Sequence, residues 1–171
     1  MLTFRGATGW EIESGIGSVL RLIDPATVRM DAGAIRVGST TGAVAVVLLL
    51  LAAPPSLWAL WRGGAVHRVG TGWLAVIGVL LSCSALLSPQ FIGWLLPGAA
   101  IAWGEGDRRS GALTALVVVI TLIYRLRHTG PELVLLRNLL LIAMTLQAWV
   151  TITYGPPRAQ GSEADGRDMP S

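Results

Sequence analysis

The chain contains no lysine: all 13 basic residues among its 171 are arginine, against 10 acidic residues, for a formal net charge of +3. An absence that extends through loops and tail reads as the codon bias of a GC-rich genome, because selection for phosphate recognition would not remove Lys everywhere. The basic balance is therefore no argument for nucleic acid, and no nucleic-acid partner is expected. Charge of either sign is scarce, at 13%, whereas a soluble domain carries roughly a quarter. That scarcity excludes an ordinary soluble globular domain. Cysteine occurs once, as Cys83 inside an apolar run, which excludes a disulfide framework and reads as a small core residue. There is no Cys/His cluster and no glycine-rich phosphate loop with Lys, so neither metal nor cofactor is expected; His67 carries no signal. The first residues, MLTFRGATGWEIES, lack the apolar core of a signal peptide, which leaves insertion to a later hydrophobic segment or to sequence upstream.

What is present is apolar sequence. Hydrophobic residues make up 53% of the chain and the mean hydropathy is +0.62. Five runs stand out, at about Gly42 to Trp61, Val69 to Leu87, Phe91 to Trp103, Ala112 to Tyr124 and Leu133 to Tyr154. Crossing the hydrocarbon takes roughly 20 helical residues. The first, second and fifth runs meet that length, while the third and fourth fit as tilted partners, or the third as a partly re-entrant one. Most of Trp58, Trp61, Trp73, Trp94, Trp103 and Trp149 fall near run ends, where indole rings favour the headgroup layer. The fold class expected is an all-α, polytopic integral membrane bundle in the cell membrane. Residues 42–154 form the bundle, 1–41 an extracytoplasmic or interfacial segment, and the polar, Pro/Gly-rich residues 155–171 a disordered tail.

Within the first segment, Ile12, Ile16, Val19, Leu20 and Ile23 share one face at helical spacing, with Glu13, Arg21 and Asp24 elsewhere. Pro25 ends that helix. The alternating stretch TVRM-DAG-AIRV around a glycine predicts a short hairpin. Such a helix is expected to lie in the membrane interface; a solvated connector without a role is the alternative. If all five runs cross, the N-terminal segment, the Ser88-Pro89-Gln90 break and the loop at 125–132 share one side. The two short loops carrying Arg62, Arg68, Arg108 and Arg109 face the other, which the positive-inside rule makes cytoplasmic.

Two polar features fall among the apolar runs. Pro89 has no N–H and biases Ser88 away from the α region, and Gln90 brings donors and acceptors to that break. The turn either contacts the polar group of a lipid-like ligand or simply joins two helices. Arg137 lies four positions inside the fifth run, about 6 Å along the axis, where an isolated charge is costly. Its guanidinium either snorkels to headgroups or forks onto a phosphate of a lipid carrier. Asp24, Asp31 and Glu132 compete as partners, and convergence of Arg137 with Gln90 on one pocket is expected. Arg125, Arg127 and His128 read as interfacial anchors, with phosphate contact as the alternative. Glu11 and Glu13, one residue apart, point to different faces of a helix and make no acid–base pair; they read as a charged helix N-terminus.

The stretch LLSPQFIGWLLPGAAIA resembles a signature of polytopic GT-C-type bacterial mannosyltransferases that use polyprenyl-phosphate mannose. GWEIESGIGSVLRL resembles the family's Ile-Glu-Ser segment and LVLLRNLLLIAM its Leu-Arg-Asn entry into a late membrane helix, in the family's order over residues 9 to 145. The resemblance is to the C-terminal part of such enzymes. It implies mannosyl transfer from a polyprenyl-phosphate-linked sugar to a lipid or glycan acceptor, with membrane lipids as further partners. It assigns Glu13, Ser14, Ser88, Pro89, Gln90 and Arg137 to substrate or lipid-phosphate binding. The family's catalytic acid sits in an early extracytoplasmic loop without counterpart here, so the chain is expected to be inactive alone. The rival class is a non-enzymatic membrane protein that packs with another subunit. A transporter is disfavoured, since no acidic residue lies within a run.

Overall fold

The computed structural model describes residues 8–31, 33–39, 42–62, 68–127 and 130–155. The expected tail, apart from Gly155, and the side chains of His67 and His128 lie outside the described residues. The order is β1 (Trp10–Glu11), α1 (Gly15–Ile23), a 3-10 turn (Pro25–Thr27), β2 (Arg29–Asp31), β3 (Ala34–Val37), α2 (Gly42–Arg62), α3 (Val69–Cys83), α4 (Pro89–Ile92), α5 (Leu95–Gly104), α6 (Arg108–Arg127) and α7 (Pro131–Tyr154). Most of the chain is helical. Three helices, α2, α6 and α7, are long and apolar enough to cross a membrane by length and composition, and α3 is a shorter apolar helix beside them.

Helices α3 and α7 are central, α3 packing on α2, α5 and α7, and α7 on α1, α2, α3 and α6. The buried residues of α7, Val134, Arg137, Asn138, Leu141, Met144, Thr145, Ala148 and Ile152, recur at the three- and four-residue intervals of a single stripe. On α3 the stripe is small: a Cβ added to Gly70 would stand 2.2 Å from the Ala102 backbone nitrogen, and one on Gly78 2.1 Å from Thr145 Oγ1. Glycine there lets backbones approach closely, as small residues do between membrane helices. Thr114, Thr121 and Thr145 return their hydroxyls to the carbonyl four residues back, so these three buried hydroxyls are satisfied within their own helices.

The runs differ from expectation in three places. The second helix ends at Cys83 rather than Leu87, because Ser84 turns back to bond Leu86 at both N–H and C=O and Pro89 holds Ser88 extended. The third run splits into α4 and α5 at Gly93-Trp94, whose N–H groups bond back three residues to Gln90 and Phe91. The fourth run is a longer helix than its apolar core, started by Asp107 accepting from Ser110 N–H at 3.2 Å and carried to Arg127 by strong helix formers. Pro54 and Pro55 lie inside α2, which continues past them to Arg62.

The N-terminal region is not all-α. The hairpin forms as expected, with Gly33 at φ +81 in its turn, and β1 adds a third antiparallel strand in the order β1-β3-β2, Trp10 opposite Val37 and Glu11 opposite Arg36. Two residues are too short to show alternation, so that strand left no periodic signal. Ile12 precedes α1 rather than lying on it, and packs with Trp10, Val37, Ala45, Ile16 and Leu20 in a small second core. The layer sits at the bundle end formed by the last turn of α3, the end of α6 and the start of α7. There Glu11 N–H donates to Ala85 carbonyl at 3.0 Å. The opposite, far end is fixed by Glu105 and Asp107 against the start of α3.

Candidate functional site

Ser14 caps α1, its Oγ accepting from Gly17 N–H at 3.0 Å and donating to the Glu11 carbonyl at 2.7 Å. The cap turns the chain so that Glu13 and Ser18 meet α7, while Gly17 packs back on the Glu11 carbonyl and Ser14. Arg137 is met there, with 0% of its surface exposed. Its Nη2 donates to the Glu13 carbonyl and to Asn138 Oδ1, its Nε donates to the same Oδ1 at 3.2 Å, and Nη1 stands 3.5 Å from Glu13 Oε2. Asn138 Nδ2 donates to the Glu13 and Ser14 carbonyls at 3.2 and 3.1 Å and approaches Ser18 Oγ at 3.0 Å. Two adjacent side chains of α7 thus close the backbone of the 13–14 turn, 124 residues away in sequence.

This corrects the reading of Arg137. Its guanidinium is buried rather than snorkelling to headgroups, and its counter-ion is Glu13, not Asp24, Asp31 or Glu132. Gln90 is exposed and forms no hydrogen bond with Arg137, whose partners are Glu13 and Asn138. Ser88 and Pro89 are half-buried at the same end of the bundle, as chain parity requires. They are linked to the N-terminal layer through Ala85 and through the Leu87 N–H facing the Glu11 carboxyl.

Glu11 and Glu13 also need correction. Glu11 lies on β1 and Glu13 in the turn before the cap, not on a helix, so residues two apart come to the same side. Burial pushes both carboxyls above the ordinary carboxylate range. For Glu11 the Glu13 charge adds to that rise; for Glu13 the Arg137 guanidinium opposes it without cancelling it. Oε2 of each is buried without a hydrogen bond. Tyr124 of α6 faces Glu13 from the other flank, where Arg125 also acts on it.

Beside this cluster a groove of about 320 Å³ runs between α1 and α7, lined by Ile16, Val19, Leu20, Leu135, Leu139 and Ile142 with Ser82 and Asn138 at its polar edge. Ser82 Oγ is buried without a partner. A second, apolar cavity of about 350 Å³ adjoins Phe91 and Trp94 just past the Ser-Pro-Gln turn. Among the described residues no cluster suited to a metal ion occurs. Sequence reasoning missed Asn138, Ser18 and Tyr124 as members of the site. The signal for Asn138 was its place beside Arg137 on the buried stripe Val134, Leu141, Thr145, Ala148. No family model, no curated protein and no solved structure matches the chain.

Proposed function

We propose that this chain is a multi-pass cell-membrane protein, its bundle crossing the bilayer through α2, α3, α5 with α4, α6 and α7. We further propose that it forms the lipid-carrier side of a polyprenyl-phosphate-sugar-dependent glycosyltransferase of the mannosyltransferase type. The observation that carries this reading is spatial: the stretches behind the resemblance, widely separated in sequence, gather at one end. Glu13 and Ser14 bond Arg137 and Asn138, and Glu11 N–H bonds the Ala85 carbonyl in the segment leading into Ser88-Pro89-Gln90. Arg137 then acts as a positioning residue that fixes the 13–14 turn, while the α1–α7 groove takes the apolar isoprenoid chain and the unpaired Ser82 hydroxyl meets its polar terminus. Exposed Val19, Leu22 and Ile23 on α1 suit an interfacial position at the same end. Neither Glu11 nor Glu13 lines the groove, so transfer to the acceptor needs an acid from elsewhere.

The test is photo-crosslinking in nanodiscs with a polyprenyl phosphate bearing a diazirine within its isoprenoid chain. Adducts on Val19, Leu139 and Ile142 are expected, and a Leu139→Trp variant that fills the groove should lose them. Adducts spread evenly over exposed apolar residues of α2 would refute it. That exposed face of α2, with Val44, Val47, Leu50, Leu51 and Leu57, favours the second reading, a subunit that packs against another membrane protein.

A further inference from the structure

The far end of the bundle carries a polar cavity of about 560 Å³, set between the starts of α3 and α6 and the last turn of α7. Arg68, Arg108 and Arg109 line it together with Glu105 and Asp107. The two carboxylates are already engaged. Glu105 accepts from the Gly70 and Thr71 N–H groups at 3.2 and 3.4 Å, and Asp107 accepts from Thr71 Oγ1 at 3.1 Å and from Ser110 N–H at 3.2 Å. They cap α3 and α6, and neither stands within ion-pair distance of Arg108 or Arg109. Arg68 donates to the Thr151 carbonyl and ties the cavity wall to α7. Three guanidinium groups therefore border a space whose acids are committed to helix starts, and two of them, Arg108 and Arg109, are exposed beside it.

Aromatic side chains set the depth. Trp61 at the end of α2 is 82% exposed, Tyr154 at the end of α7 is 81% exposed, and Trp103 near the end of α5 is exposed as well. Exposed indole and phenol rings at one level of an apolar bundle mark a headgroup layer. A guanidinium fork matches two oxygens of a phosphate, and a cavity of this size admits a phosphodiester with its glycerol.

We propose that this cavity binds a phosphate group through Arg108 and Arg109, with Arg68 as its wall. The two sources of that chemistry are an anionic phospholipid headgroup and free phosphate. The site is separate from the N-terminal cluster and goes beyond the glycosyltransferase reading; only its lipid form depends on the chain lying in a bilayer.

The experiment uses the full chain, purified in detergent. Native mass spectrometry counts retained phosphatidylglycerol after transfer from phosphatidylcholine nanodiscs with and without that lipid, and calorimetry titrates inorganic phosphate separately. Retention of phosphatidylglycerol over phosphatidylcholine without a phosphate isotherm assigns the lipid, and a saturable phosphate isotherm assigns the free ion. Arg108→Gln with Arg109→Gln should lower whichever binding is seen by about thirty-fold, from the worth of two arginines near a membrane surface. Arg125→Gln with Arg127→Gln removes the same charge at the opposite end and should leave it unchanged. Arg108→Lys with Arg109→Lys checks that the fold tolerates change and should lose part of the affinity along with the fork. Equal loss from the two Gln pairs, or binding of neither ligand, would overturn the proposal. Failure of the chain to enter nanodiscs at all would instead sink the membrane reading.

Discussion

Replacing Arg137 by Met keeps the length and apolar volume of the side chain and removes the guanidinium. Glu13, with 12% of its side chain exposed, then stands without its counter-ion, and Asn138 Oδ1 loses both donors. Breaking one side of a buried ion pair costs about 3–5 kcal/mol, because the remaining charge keeps its desolvation penalty, whereas replacing both partners with apolar groups is close to neutral. The contact holds α1 to α7, so the loss falls first on the N-terminal layer. Hydrogen exchange in detergent at the Gly17 amide, which bonds Ser14 Oγ, reads that opening directly. Arg137→Met should speed exchange roughly a hundred- to several-thousand-fold. The double variant Glu13→Leu with Arg137→Met should recover most of the protection, giving a large coupling in a double-mutant cycle. An additive double variant, or a single-variant change under about five-fold, would refute the ion pair as the fastening of this layer.

Glu11 gives a pH-dependent counterpart. Burial holds its carboxyl above the ordinary range, so its stabilising contribution is fully present below the ordinary carboxylate pKa and is lost as pH rises through the raised value. Glu11→Gln is therefore expected to raise Tm at neutral pH and to match the parent chain in acid; a lower Tm at neutral pH contradicts this. Gly70→Ala places a methyl 2.2 Å from the Ala102 backbone, and forcing α3 and α5 apart should cost about 1–3 kcal/mol in denaturant unfolding. An unchanged midpoint would show that this contact is looser than the structure has it.

The helices were legible because apolar runs of bilayer length leave few other solutions, and the hairpin because its alternation brackets a glycine. The boundaries were less so. Ser84 and Pro89 ended α3 early through local bonding that hydropathy ignores, while Asp107 and the arginines of 108–109 and 125–127 lengthened α6 beyond its apolar core. Arg137 was recognisable as costly from its depth, but its partner was not, since Glu13 lies 124 residues away and was assigned to a helix. The stripe through Val134, Leu141 and Ala148 pointed Arg137 inward, and an inward guanidinium at the end of a helix calls for a carboxylate on whatever packs over it. A strand of two residues, β1, carries no periodicity to read, and with it went the shared side of Glu11 and Glu13.

The central claim is that one end of this bundle faces one side of a membrane and the far end the other. Cysteine labelling with an impermeant maleimide in intact cells and in inverted vesicles, on a Cys83→Ala background, tests it with single cysteines at Asp24, Gln90 and Arg127 and at Arg109 and Tyr154. The account predicts that the first three react from one side only and the last two from the opposite side only. Labelling of Gln90 and Arg109 from the same side would contradict it.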